Sequence, residues 1–186
     1  QALQIALDAR GARVAYADAT QMIARLGVAA DVDGGGTAFS ECNLLLVREV
    51  PGGSLEQVIF RMDALHQLEN AGLRVINSPY AIEKMVDKYY TLSLLQQAGL
   101  RVPETRVCEN YAGAMEAFEI LGGDVVVKPL FGSRGVGMVR VTEAATAGRV
   151  FRALQLGGYV YYLQMFIPHN NHDQRVMVIG DECVAA

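Results

Sequence analysis

Over the first part of the chain, apolar residues spaced three and four apart alternate with short apolar blocks bounded by glycine, proline and aspartate. The spacing predicts a helix over residues 2–10, a short strand over 13–17 and a helix over 19–26 with Asp18 as its cap. Residues 31–37, rich in aspartate and glycine, read as a loop. Leu44-Leu-Leu-Val-Arg48 reads as a buried strand that stops at Glu49-Val-Pro-Gly-Gly53. Ser54 and Gln57 stand three apart in a capping-box pattern, which opens a long helix ending near Gly72. Residues 73–77 form the next strand. Strands that alternate with helices predict a parallel sheet with helical crossovers.

The pattern changes after Ser78-Pro79. A helical stretch over residues 80–98 is interrupted near Asp87 and stopped by Gly99. A strand over 105–108 and a helix over 111–121 follow, and then two apolar runs flank a glycine-rich loop. A helix over 143–156 with Thr142 as cap comes next, followed by a strand over 159–167 that runs into a polar loop. Residues 174–179 and 182–186 flank Gly180-Asp181, a hairpin signal. The expected organisation is α/β, with an α/β domain over residues 1–78 and an α+β domain over 79–186. The chain enters directly into a helical pattern and stops inside a strand, which reads as part of a longer protein.

Composition narrows the function classes. Of 186 residues, 52% are hydrophobic and 19% charged, which is a globular balance rather than a disordered one. The formal charge of −4 argues against a nucleic-acid partner, because binding a phosphate backbone needs a basic face. No apolar run approaches the roughly 18 residues of a membrane span, and the start has no basic leader. Cys42, Cys108 and Cys183 are odd in number and far apart, so they read as free thiols of a cytoplasmic protein.

The chemistry concentrates in one stretch. Val125-Val-Val-Lys128 is a β-branched run ending in a lysine, and Gly132-Ser-Arg-Gly-Val-Gly137 follows it before a second apolar run. Glycines between two strands suit a hairpin lid whose backbone N–H groups close over phosphates, with Lys128 as a fixed positive charge. A purely structural hairpin is the competing reading, since the spacing matches neither the dinucleotide fingerprint nor the Walker loop. Lys88, where a helix restarts, reads on its own as a surface lysine, and alternatively as a second lysine able to converge on the same phosphates. Gln164, Met165, Phe166 and Ile167 end a strand and suit a hinge whose backbone reads adenine, or else plain core. Asp173 and Arg175 are two apart, so on a strand they share a face. Asp173 then suits ribose hydroxyls and Arg175 a phosphate or carboxylate, with an exposed ion pair as the alternative. His169, His172 and Asp173 make only a weak metal pattern, and no metal ligand is assigned. Arg48-Glu49, at a strand end, is a further candidate for substrate contact.

Taken in order, Asn77-Ser-Pro, Asp87-Lys88, Leu94 to Pro103, Val126-Val-Lys-Pro129, the glycine loop, Asp173-Gln-Arg175 and Val178 to Ala186 resemble the RimK-like glutamate ligases of the ATP-grasp superfamily. Leu55 to Asp63 and Gly123 to Ser133 look closest to the branch that adds glutamate to tetrahydromethanopterin. The resemblance implies a pre-ATP-grasp domain without its first strand, then the first part of an ATP-grasp fold without its carboxyl-terminal half. It implies that Lys88 and Lys128 hold ATP phosphates and that Gly132, Ser133, Arg134, Gly135 and Gly137 belong to the lid. It implies that residues 164–167 form the adenine hinge, that Asp173 binds ribose, and that Arg175 faces the transferred phosphoryl group as the catalytic residue. ATP and Mg2+ are the expected cofactors, with the metal ligands in the absent half.

The implied reaction joins L-glutamate to an acceptor through an acyl phosphate. A pterin-type acceptor is favoured, and a protein or carrier-protein acceptor is the alternative. A nucleotide-binding module without catalysis is a third reading, supported by Met165 where the family usually has an acidic residue. A Rossmann dehydrogenase fits least, because the front segment has no Gly-x-Gly-x-x-Gly. The 186-residue chain by itself is expected to bind nucleotide weakly and to catalyse nothing. Homo-oligomers are common among such ligases, and the resemblance extends that expectation here.

Overall fold

The structure is a computed structural model and describes residues 2–27, 31–132, 135–170 and 172–185. The chain divides into two compact units, Gln1–Asp87 and Lys88–Ala186.

The first unit contains α1 (Ala2–Asp8), β1 (Met22–Arg25), β2 (Asp31–Gly34), β3 (Leu44–Leu46), α2 (Leu55–Asn70), β4 (Arg74–Ile76) and α3 (Pro79–Val86). The capping box that opens α2 forms as the sequence predicts. Ser54 Oγ accepts from the Gln57 N–H at 3.3 Å, and Gln57 Oε1 accepts from the Ser54 N–H at 3.0 Å. Strands β3 and β4 pair in parallel, Leu44 opposite Arg74 and Leu46 opposite Ile76, with α2 as the crossover. Met62, Ala64, Leu65 and Leu68 of α2 pack with Val32, Phe39, Val75 and Ile82 to form the core. Arg61, on the same helix, is buried and donates from Nη1 to the carbonyls of Pro51 at 2.6 Å and Gly52 at 3.2 Å. It therefore fixes the loop between β3 and α2.

Three expectations fail in this unit. Residues 13–17 form no strand. The helix expected over 19–26 is a single 3-10 turn, Ala19–Gln21, followed by β1. The loop expected at 31–37 begins as β2, antiparallel to β1. Asp18 does cap, accepting from the Thr20 N–H at 2.8 Å, but only the short turn. The strand pairing wins because it buries Val32 completely and lets Arg25 bond Asp33 at 2.7 Å and Asp31 at 3.2 Å.

The second unit contains α4 (Lys88–Gln97), β5 (Thr105–Cys108), α5 (Tyr111–Ile120), β6 (Val125–Lys128), β7 (Val139–Val141), α6 (Ala144–Leu156), β8 (Tyr161–Met165), β9 (Met177–Ile179) and β10 (Glu182–Ala185). A four-stranded sheet runs in the order β5-β8-β6-β7, antiparallel at every step. Phe118 of α5 and Phe151 of α6 pack with Val125, Val127, Val141, Tyr161 and Leu163, so both helices cover one face of the sheet. Phe151 meets Tyr161 edge to face at 5.7 Å, and the Tyr161 hydroxyl donates to the Phe151 carbonyl at 3.2 Å. The N-cap of α6 is Glu143, without a side-chain bond, rather than the expected Thr142. Strands β9 and β10 form a separate hairpin.

Candidate functional site

Strand pleat divides the four-stranded sheet cleanly. Val125, Val127, Val141, Tyr161 and Leu163 lie on the helix-covered face. The alternate positions are therefore on the opposite face: Thr105 and Val107 of β5, Tyr162 and Gln164 of β8, Val126 and Lys128 of β6, and Arg140 of β7. Most of the chemistry in this unit converges there.

Strand β6 ends at Lys128 and β7 returns antiparallel to it, so the glycine loop joins two strands of one hairpin, as expected. Gly132, Gly135 and Gly137 have φ of 131°, 73° and 78°, a region that side-chain-bearing residues avoid. Ser133 and Arg134, also expected in the lid, lie outside the described residues.

Lys88 opens α4 and reaches the root of that loop. Its Nζ donates to the Gly132 carbonyl at 2.8 Å and to the Leu130 carbonyl at 3.3 Å, and its backbone N–H donates to Leu130 at 3.4 Å. Lys128 Nζ donates to Gln164 Oε1 at 2.5 Å. Gln164 Nε2 in turn donates to Thr105 Oγ1 at 2.9 Å, and Thr105 Oγ1 donates to the Pro103 carbonyl at 2.9 Å. Burial, and secondarily the Lys88 ammonium, hold the Lys128 pKa below the usual lysine value. The Lys88 influence places both cations in one electrostatic neighbourhood, although they come from separate elements.

The hinge residues separate by pleat. Gln164 uses its side chain on the lysine face and is only 8% exposed. Met165 pairs with Val125 and has the parity of Tyr161 and Leu163, which puts it on the face away from Lys128. The Met165 N–H donates to the Glu104 carbonyl at 2.9 Å and the Phe166 N–H to the Asp124 carbonyl at 3.0 Å. Both groups are thus committed to the sheet, and Ile167 follows them half exposed. The Phe166 ring carries the Arg140 guanidinium at 3.5 Å from its centroid, with His169 at 5.8 Å. Arg140 is held by a bidentate pair with Asp124, at 2.8 and 2.7 Å, and each partner shifts the other toward its charged form.

Asp173 and Arg175 do not lie on a strand. They precede β9 in an irregular, exposed segment, so pleat does not place them on a common face. Among the described residues, no group of three or more His, Cys, Asp or Glu is placed to hold a metal ion, and His169, His172 and Asp173 form no such group. No helix among the described residues is long and apolar enough to cross a membrane.

Sequence reasoning missed Thr105 and Arg140. Thr105 stands directly opposite Gln164, and Arg140 directly opposite Val126. Both relationships depend on strand register, which a single sequence does not display.

Comparison with known proteins reports on the same region. A family model described as a RimK-like ATP-grasp domain matches residues 85–186. The tetrahydromethanopterin:alpha-L-glutamate ligase of Methanosarcina acetivorans is 34% identical, over 97% of this chain and 57% of its own length. The ribosomal protein bS6–L-glutamate ligase of Escherichia coli is 30% identical, over 66% of this chain and 42% of its own length. The chain thus spans about half the length of these relatives. Among solved structures, a RimK domain ATP-grasp protein from Sphaerobacter thermophilus superposes with a TM-score of 0.56 at 27% identity, covering 68% of this chain and 46% of the other.

Proposed function

Because the chain belongs to the RimK-like ATP-grasp family, we propose that it carries the phosphate-binding side of an ATP-dependent carboxylate–amine ligase that adds L-glutamate to an acceptor. The observation that carries this reading is the placement of two lysines at the root of the glycine loop: Lys128 ends the strand that leads into it, and Lys88 donates to its Leu130 and Gly132 carbonyls. Two ammonium groups at the root of one loop, with a neutral amide as the Lys128 partner, favour a polyanion at that end of the sheet.

In this reading Lys128 and Lys88 hold the ATP phosphates, and Gly132, Ser133, Arg134, Gly135 and Gly137 close over them. Adenine lies against Val126 and Phe166. It is read by the Phe166 carbonyl and the Ile167 N–H, because the Met165 and Phe166 N–H groups already serve the sheet. Asp173 takes the ribose hydroxyls. A substrate carboxylate oxygen attacks the γ-phosphorus, the P–O bond to ADP breaks, and an acyl phosphate forms. The acceptor or glutamate amine then attacks the acyl carbon and phosphate leaves, which gives an amide. Arg175 faces the phosphoryl group as it transfers and stabilises its equatorial charge. Mg2+ supplies further charge neutralisation when bound with ATP, but the described residues offer no cluster to hold it, so no step is assigned to it here.

A pterin-type acceptor is favoured by the likeness to the tetrahydromethanopterin ligase, which extends along 97% of this chain. A protein acceptor is the second reading, favoured by the likeness to the bS6 ligase. The test is ADP release by the full-length protein with ATP, Mg2+, L-glutamate and either a tetrahydromethanopterin precursor or a peptide acceptor. ADP formed only with the pterin supports the first reading, and ADP formed only with the peptide supports the second. ATP binding without turnover under either pairing overturns both in favour of a non-catalytic module.

A further inference from the structure

The contacts of Lys128 form a chain with a direction. The Pro103 carbonyl has lone pairs and no proton, so it can only accept. The Thr105 hydroxyl gives its single proton to that carbonyl at 2.9 Å, and toward Gln164 it therefore presents a lone pair. That lone pair calls for the N–H end of the Gln164 amide, which donates to it at 2.9 Å. The carbonyl end of the same amide is left facing Lys128 Nζ at 2.5 Å. Orientation is transmitted from a backbone carbonyl through a hydroxyl and an amide to an ammonium, across three neighbouring strands.

We propose that Thr105 is a positioning residue for Lys128: its hydroxyl fixes the Gln164 amide so that the phosphate-binding ammonium meets an acceptor rather than a donor. The proposal rests on the reading of Lys128 as a phosphate ligand and adds to it a residue with no contact to nucleotide. Register supports it. Thr105 is directly opposite Gln164, while Lys128 is opposite Tyr162 and so diagonal to Gln164 on the same face, within reach of a long side chain. Energetics support it as well. Lys128 is partly buried beside the Lys88 ammonium of α4, so its charged form needs a fixed dipole. Gln164 is 8% exposed, so water does not correct a reversed amide at little cost. A reversed amide points an N–H at the ammonium, which disfavours the proton on Lys128.

Two substitutions separate this role from packing. Thr105→Val keeps the β-branched shape and strand preference and removes the hydroxyl. Thr105→Ser keeps the hydroxyl and removes the methyl. In the full-length protein, the two readouts are ATP affinity by titration calorimetry and the rate of amine labelling at Lys128 at mildly alkaline pH, followed by peptide mass spectrometry. The expected result is that Thr105→Val weakens ATP binding and speeds labelling, each by about threefold to tenfold, the scale of one neutral hydrogen bond lost, while Thr105→Ser behaves as wild type. The reverse order, with valine silent and serine damaging, assigns Thr105 to packing and overturns the proposal. Two silent variants overturn it equally. Labelling needs no nucleotide, so a wild type that binds no ATP, with Thr105→Val alone labelled faster, refutes the phosphate reading and upholds the relay.

Discussion

Arg140 lies over Phe166 with its guanidinium carbon 3.5 Å from the ring centroid, and a single aspartate ties the two together. The Asp124 carboxylate grips the guanidinium at 2.8 and 2.7 Å, while the Asp124 carbonyl accepts the Phe166 N–H at 3.0 Å. The strand that returns from the glycine loop is thereby linked to the segment expected to hold adenine. Removing the guanidinium with Arg140→Ala releases the ring, and ATP affinity is expected to fall about threefold. Thermal stability should hardly change, because the Arg140–Asp124 pair is exposed and such pairs contribute little. Calorimetric ATP titration alongside a thermal melt checks this. A lowered melting temperature with unaltered ATP affinity would assign the stack to the scaffold alone.

The lowered Lys128 pKa gives ATP binding a pH dependence of definite sign. Burial and the neighbouring Lys88 charge favour the neutral amine, so Lys128 loses its proton at a lower pH than an exposed lysine. ATP affinity should therefore weaken as pH rises through the alkaline range, ahead of the point where ordinary lysines titrate. Lys128→Arg, whose charge persists throughout, should flatten the profile even if its geometry lowers affinity overall. Affinity measured at a series of pH values in both proteins decides it. Parallel profiles would exclude Lys128 as the titrating group.

Gly137 adopts φ 78°, and an added Cβ would meet Pro129 only at ordinary contact distance, 3.5 Å. The cost of Gly137→Ala is therefore conformational, about 1 kcal/mol, and local to the hairpin tip. If the loop closes over phosphates, turnover should drop tenfold or more in the full-length protein while the melting temperature moves by a few degrees at most. Equal activity in the variant would remove the loop from the reaction.

Gly34 is a different case, where space decides. A Cβ there would lie 2.5 Å from Phe39 Cζ and 2.7 Å from Ala17 Cβ. Gly34→Ala should destabilise the first unit by about 1–3 kcal/mol through overpacking. Adding Phe39→Leu should return part of that loss by vacating the ring's volume. Urea denaturation of the single and double variants measures both, and purely additive losses would exclude the Phe39 contact as the cause.

Legibility followed the range of the interactions. The Ser54–Gln57 capping box, the helix break at Asp87 and the strand–glycine loop–strand hairpin are specified by neighbours in sequence, and each is present in the structure. Met22–Arg25 misled because its local spacing suits a helix, whereas its strand state depends on Asp31 and Asp33 across the pairing. Lys128 stood out because it ends a buried run. Its partner Gln164 is 36 residues away and Thr105 a further 59 from Gln164, so the relay has no local signature. Gln164 was selected as a hinge residue for its backbone, whereas its side chain is what engages Lys128. Asp173 and Arg175 were given a common face on the premise of a strand, and that strand begins only at Met177.

The position of β8 bears on how this unit comes into being during synthesis. Strands β5 and β6 do not pair with each other; each pairs with β8, which is made after both. A nascent chain halted before Tyr161 holds the β6–β7 hairpin and a separate β5, with no strand to join them. The joining of β5 to that hairpin, and with it the meeting of Lys128, Gln164 and Thr105, waits until β8 leaves the ribosome. Until then the edge of residues 125–127 that later meets β8 is open as a template for unwanted pairing. Protease resistance of β5 in arrested chains should therefore appear only after residue 165 has emerged, whereas β6 and β7 can pair before it.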